Sequence, residues 1–276
     1  MPGVIRLRCP KCDAVSEFEL PLISDPEGQI VFFGDEAEQR IGNDGVIYVY
    51  VLMAFATGFP SLAAELMRDA KLKLRPGVDP ASWSWHTYDL RDKRWRAKNG
   101  VTLAHWEVDE VVSGLCTFLG ANEPNRIVSA TVLPPSQTPY TSDELFERVL
   151  TAAIFSTTQL ATSMRYAPRF VLEARTSDHD KGMIDYAVEK IGRGLRHSLP
   201  YIYVSRGLTH SIPVTEPKGR LELEYADVAA FIIRRALLRD HTDRPIEFPV
   251  DALGEVHWTM MDTLGIRRVA ARGFPR

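Results

Sequence analysis

Three carboxylates in this sequence stand where an acid is costly. Asp35, with Glu36 beside it, follows the apolar run around Val31–Phe33 and Gly34. Glu173 lies within Arg169-Phe-Val-Leu-Glu-Ala-Arg, whose alternation puts Val171 and Glu173 on one face of a strand and Phe170 and Leu172 on the other. Asp227 sits in an apolar helical stretch, with Leu223, Ala230, Phe231 and Leu238 on its own face. A carboxylate beside a core must be solvated, paired or bound to a cation. If a cation is bound, hard oxygen ligands suit Mg²⁺ or Mn²⁺. Plainer readings compete: a strand that turns at the surface for Asp35 and Glu36, and a buried pair of Asp227 with Arg234 two turns on.

Three further groups carry chemistry. Trp83-Ser-Trp-His-Thr-Tyr-Asp89 surrounds His86 with aromatics, and His86 reads equally as an acid–base group and as an ordinary half-buried histidine. Next comes a run that sets Arg91, Lys93, Arg94, Arg96 and Lys98 around Trp95. That run suits a phosphate backbone with stacking, and equally a solvated loop. Near the N-terminus, Cys9-Pro-Lys-Cys12 followed by Ser16–Leu20 resembles half of a zinc ribbon, a knuckle and then a strand. A structural zinc needs four ligands; no second Cys-x-x-Cys exists, and Cys116 and His105 lie on a predicted helix. Cys9 and Cys12 are therefore candidate zinc ligands, within one chain only if Cys116 and His105 happen to fold against them, and otherwise shared between the chains of a homodimer or part of a degenerate knuckle.

The elements that must position these residues follow in order. The strand at Val31–Phe33 and a long strand at Val46–Ala56 flank a turn at Ile41–Gly45, a hairpin with the acids near its turn. Ser61 caps a helix to about Leu74, which Pro76 and Pro80 end. A helix over Val101–Leu119 closes at Gly120, and Arg126–Leu133 is a strand that Pro134 and Pro135 break. Thr141 and Glu144 are spaced as a capping box for a helix to about Met164. After the Glu173 strand come a helix to about Leu195, a strand at Tyr201–Ser205 and the helix that carries Asp227. Residues 1–28 read as an appendage, 29–240 as the main domain, and 241–276 as an extension without an assigned place in the core.

The bulk properties fit one sizeable soluble domain. The chain has 276 residues, 45% hydrophobic and 25% charged, which excludes a mostly disordered chain. A net charge of −3 excludes a broad polyanion-binding surface, so any nucleic-acid contact must be local or metal-mediated. Three cysteines make no disulfide framework, no signal peptide is evident and Val46–Ala56 is too short to span a bilayer; the expectation is a cytoplasmic protein with no membrane association. Phosphate-binding Gly-rich loops, GxSxG and HExxH are all missing, which argues against P-loop enzymes, serine hydrolases and zincins.

The order hairpin, crossover, helix, strand, helix, with acids on the first strand, a later strand and the last helix, resembles the ribonuclease H-like folds. Phe33-Gly-Asp-Glu-Ala37 and Leu221-Glu-Leu-Glu-Tyr-Ala-Asp-Val-Ala-Ala-Phe231 resemble, more specifically, the family called domain of unknown function 3800. The resemblance spans about residues 29 to 240. Asp35 and Glu36 match that family's first acidic pair, Asp227 its late aspartate, and His86 its histidine motif. Ser84 replaces a usual glutamate, Glu173 fills a slot where aspartate is common, and Ala37-Glu38 replace Ser-Gly. The resemblance implies an α/β mixed sheet flanked by helices, with the zinc-knuckle-like segment outside it. It further implies a nuclease that uses Mg²⁺ or Mn²⁺, two ions about 3.5–4 Å apart activating a water and stabilising a leaving oxygen. In that scheme Asp35, Glu173 and Asp227 are ligands, Glu36 orients a ligand or water, and His86 places or protonates the leaving group. The alternative is a non-catalytic module that keeps the fold and binds nucleic acid or protein.

Overall fold

The computed structural model describes residues 3–8, 15–20, 27–42, 45–56, 59–122, 125–173, 214–216, 220–238, 253–262 and 265–270. Two short strands, β1 (Gly3–Arg8) and β2 (Val15–Leu20), pair antiparallel as a sheet of their own, Arg8 opposite Val15. Cys9 and Cys12 fall in the connection between them, outside the described residues, as do the helix and strand expected between residues 181 and 205.

The main sheet is built on β4 (Gly45–Phe55), whose near-continuous apolar sequence is that of a strand buried on both faces. Its odd-numbered residues Ile47, Val49, Val51 and Met53 enter one core, and the even-numbered Tyr48, Tyr50, Leu52 and Ala54 enter another. On one side β4 pairs antiparallel with β3 (Gly28–Ile41), on the other with β5 (Arg126–Gln137), also antiparallel. Beyond β3 lie β6 (Tyr166–Glu173) and the short β7 (Val214–Glu216), both parallel to their neighbours. Beyond β5 lie β8 (His257–Asp262), parallel to it, and β9 (Gly265–Ala270), antiparallel to β8. Among the described residues the sheet thus has the order β7-β6-β3-β4-β5-β8-β9.

Helices cover both faces. Helices α1 (Phe59–Leu74), α4 (His105–Ala121) and α6 (Leu221–Leu237) contribute Met67, Val112 and Ile232 to the core on one face. Helix α5 (Ser142–Ser163) covers the other with Phe146, Val149 and Leu150. Two short helices, α2 (Thr87–Arg91) and α3 (Lys93–Lys98), lie on the α6 side. The fold is therefore α/β, a mixed sheet flanked by helices. Among the described residues no helix is long and apolar enough to cross a membrane.

Several sequence expectations change in detail. Strand β3 runs on to Ile41 with every residue from Phe32 paired to β4, so Asp35 and Glu36 stand mid-strand and not near the hairpin turn. Helix α1 starts before Ser61, which therefore lies inside it and does not cap it. Pro134 and Pro135 do not end β5: its register with β4 slips by one residue between Val46 and Tyr48, a bulge that absorbs residues unable to donate to the ladder. The unassigned C-terminal segment supplies β8, whose Trp258 is buried in the core. At the start of α5 the expected capping box is present: Thr141 N donates to Glu144 Oε2 at 2.9 Å, and Glu144 N to Thr141 Oγ1 at 3.3 Å.

Gly34, directly before Asp35, fits because it lacks a side chain. A Cβ there would stand 2.8 Å from Leu52 Cδ2, 2.9 Å from Tyr50 Cε1 and 3.0 Å from Leu172 Cδ2. Gly34→Ala should therefore displace the Leu52, Tyr50 and Leu172 side chains and cost about 1–3 kcal/mol. Urea unfolding of the two proteins measures this; equal midpoints would show that these side chains give way freely.

Candidate functional site

Asp35, Glu173 and Asp227 do reach one place. They line a single small cleft with Ser84, Trp85, Leu223 and Glu224, its inner volume about 10 Å³, that of one water-sized species. Each arrives for a local reason. Asp35 pairs with Val51 and shares the α6-facing side of β3 with Phe33 and Ala37. Glu173 is the last residue of β6, on the face that Val171 packs against Phe33 and Leu223. Strand β6 ends beside mid-β3, since Gly34 opposes Leu172, so the two acids are neighbours across a parallel pair. Asp227 comes from α6, packed across that same face of the sheet.

Asp227 is fixed by the segment before α2. Thr87 donates to its Oδ2 twice, from the backbone N at 2.8 Å and from Oγ1 at 2.5 Å. Trp85 Nε1 donates to Thr87 Oγ1 at 2.9 Å, which leaves the Thr87 hydroxyl proton to point at Asp227. Burial pushes the Asp227 carboxyl up, Thr87 and His86 oppose that rise, and the charge of Glu173 adds to it. The expected alternative, a buried Asp227–Arg234 pair, is not formed: Arg234 Nη1 donates to Glu38 O at 3.0 Å.

One acid of the cleft escaped the sequence reading. Glu224, one turn before Asp227, is 3% exposed, and its Oε1 accepts from Lys71 Nζ at 2.7 Å and Trp85 N at 2.9 Å. Its Oε2 is buried without a hydrogen-bond partner. Burial pushes this carboxyl up, Lys71 pulls it down and Asp227 adds to the rise. Lys71 is itself 1% exposed and lies over the Trp83 ring, 4.9 Å from its centroid. The usable signal was the apolarity of α6 on every side, which leaves no solvated face for Glu224.

The other expected residues fall elsewhere. Glu36, by strand alternation, projects from the opposite side of β3 and does not line the cleft, although its N–H holds Asp35 Oδ1 at 2.8 Å. His86 is half-buried at the start of α2, close enough to influence Asp227 but not a lining residue. As the side chains lie, no three His, Cys, Asp or Glu among the described residues are gathered closely enough to hold a metal ion. Cys116 is buried in the core, its thiol donating to Val112 O at 3.0 Å and pushed up to about 12 by burial; as placed it is no zinc ligand.

The basic run divides. Arg91 forms an ion pair with Asp109 at 3.1 Å and bonds His105 Nε2 at 2.9 Å, while Arg96 is 7% exposed and donates to Leu90 O at 2.9 Å. Both therefore stitch α2, α3 and α4 together and are not open to a phosphate backbone. Trp95 packs against the core. Lys93, Arg94 and Lys98 remain exposed.

Comparison of the sequence with family models and with curated proteins finds no match.

Two measurements check this site. Folding raises the Asp227 pKa, so its protonated form stabilises the fold below the ordinary carboxylate value and that contribution is lost as pH rises through the raised value. Without divalent ions, wild type should lose stability relative to Asp227→Asn as pH climbs from about 4 towards neutrality; urea midpoints that differ by a constant amount would contradict it. In the basic run, Arg96→Ala should cost about 2–3 kcal/mol and Arg94→Ala less than about 0.5 kcal/mol. Thermal melts that rank the two the other way would overturn the division.

Proposed function

We propose that the chain is a metal-dependent phosphodiester hydrolase, a nuclease, with a ribonuclease H-like domain related to the domain of unknown function 3800 family. The observation that carries this reading is the meeting of four carboxylates, Asp35, Glu173, Glu224 and Asp227, at one water-sized cleft. The topology is compatible: antiparallel β5-β4-β3 continues into parallel β6 and β7, with an acid-bearing helix across the face. The donor set fits a divalent cation in kind. All four are hard oxygen ligands, and Glu224 Oε2 is a buried acceptor with nothing donating to it.

A bound Mg²⁺ or Mn²⁺ would supply a more acidic water and neutralise charge on phosphate oxygens. Asp35, Glu173 and Asp227 would hold it, with Glu224 as a fourth ligand. Thr87 keeps Asp227 Oδ2 engaged, and Lys71 with Trp85 N keeps Glu224 Oε1 engaged. His86, half-buried beside Asp227, is the group suited to pass a proton to a departing oxygen. Among the described residues no three of these acids are gathered closely enough to hold an ion as the side chains lie, which favours a second reading, a module that keeps the fold and binds nucleic acid or protein without cleaving it.

Cleavage of labelled DNA and RNA in Mn²⁺, together with thermal melts, separates the two. Wild type should cleave one substrate and be inhibited by EDTA, while Asp35→Asn and Asp227→Asn lose at least about 100-fold. Mn²⁺ at about 100 times its Kd should stabilise wild type by about 2.7 kcal/mol and leave Asp227→Asn unchanged. Glu224→Gln should lose the same response. A wild type that neither cleaves nor gains stability from millimolar Mn²⁺ leaves the binding-module reading.

A further inference from the structure

A second concavity lies along the same elements, beyond the acids. It is a groove of about 400 Å³ lined by Glu38, Gln39 and Arg40 of β3, Tyr88 of α2 and Arg234 of α6. From Asp227 to Arg234 is about 10 Å along α6, and from Asp35 to Glu38 about 10 Å along β3. The groove therefore continues the acidic cleft in one direction, at a spacing of one or two nucleotides.

Its chemistry is opposite to that of the cleft. Arg234 is 7% exposed and held rigidly: Nη1 donates to Glu38 O, and the guanidinium lies 5.2 Å from the Phe231 ring centroid and 5.6 Å from that of Tyr88. Its Nε is buried with no acceptor. A guanidinium held this far from water is costly to keep charged, and an anion in the groove beside it offsets that cost. Burial, and after it Arg235, already disfavour the charge on Arg234. Arg40 is 54% exposed, with Nε 3.3 Å from Glu38 Oε1 and Nη2 2.7 Å from Ser142 Oγ. The two guanidiniums outweigh the one carboxylate in the groove, Glu38. Tyr88, which also lines the groove, is 63% exposed to solvent.

We infer that this groove is a nucleotide subsite, in which Arg234 and Arg40 receive a phosphate of a nucleic-acid strand and the Tyr88 ring stacks on the adjoining base. The volume is in the range of about 300–1,000 Å³ typical of small-molecule sites, enough for one nucleotide unit, and ring stacking is tolerant of base identity. The assignment deepens the nuclease reading by naming how the strand is held next to the acids, but filling the groove requires no metal.

Fluorescence anisotropy with a labelled oligothymidylate in EDTA tests the groove by itself. Tyr88→Ala should weaken binding about tenfold, and Arg40→Ala should reduce the slope of log affinity against log salt by about 1. Both side chains are exposed, so these variants keep the fold, and Arg68→Ala, on the exposed side of α1, should bind as wild type does. Wild type that fails to bind, Tyr88→Ala and Arg40→Ala that bind like wild type, or Arg68→Ala weakened as much as Tyr88→Ala, each overturns the subsite. Mn²⁺ melts of Tyr88→Ala keep the two ideas apart. A retained Mn²⁺ response with weakened oligonucleotide binding is the expected result, whereas loss of the wild-type Mn²⁺ response bears on the acidic cleft alone.

Discussion

Helix α6 brings two carboxylates into an apolar interface, and most of what surrounds the cleft follows from how they are held. Glu224 and Asp227 are one turn apart on a helix whose neighbours Leu223, Tyr225, Ala226 and Val228 are all buried. Neither could be placed there as a bare anion without a large desolvation cost. The short segment Trp85–Thr87 meets both, through Trp85 N on Glu224 and Thr87 on Asp227, and Lys71 adds a buried cation to the first. Such a pair contributes little net stability but is costly to break, by about 3–5 kcal/mol for loss of one partner. The consequence is positional: α6 has one seat on the sheet in which both acids are answered. That seat also fixes where Arg234 lies against β3.

The sheet imposes the complementary constraint. Strand β3 is antiparallel to β4 on one side and parallel to β6 on the other, and among the described residues its pairing with β6 ends at Gly34 while its pairing with β4 runs on to Ile41. Asp35 lies at that boundary. Gly34 beneath it lets Tyr50 and Leu52 press close on the opposite face. Asp35 on the α6 side therefore follows a residue that leaves no room for a side chain on the opposite face.

Much of this was legible in the sequence where a local pattern carries it. Alternation placed Glu173 with Val171, helical spacing placed Asp227 among Leu223, Ala230 and Phe231, and the Thr141–Glu144 box marked the start of α5. What was not legible depended on partners far along the chain. Strand β3 continues through Glu36 and Glu38 because β4 offers it a full ladder, which outweighs the poor strand character of acids. Arg91 and Arg96 looked like surface cations until Asp109 and Leu90 O claimed them. Glu224 drew no attention in the sequence because Lys71, 153 residues away, gives no local sign of it. The C-terminal strands were missed for a similar reason, since β8 finds its partner in β5.

The same long separations order the site in time as well as in space. Thr87 and Asp227 are 140 residues apart, and Glu38 and Arg234 are 196 apart. A nascent chain emerging from the ribosome can close the β3–β4–β5 meander early, and it can lay β6 beside β3. At that stage Asp35 and Glu173 are adjacent, but Lys71 has no carboxylate to meet and the Thr87 donors have no acceptor on α6. Charge balance in this corner of the molecule is reached only on arrival of α6, so the cleft registers that synthesis has passed it. A ribosome stalled before residue 227 carries a chain with most of its sheet and none of its finished cleft.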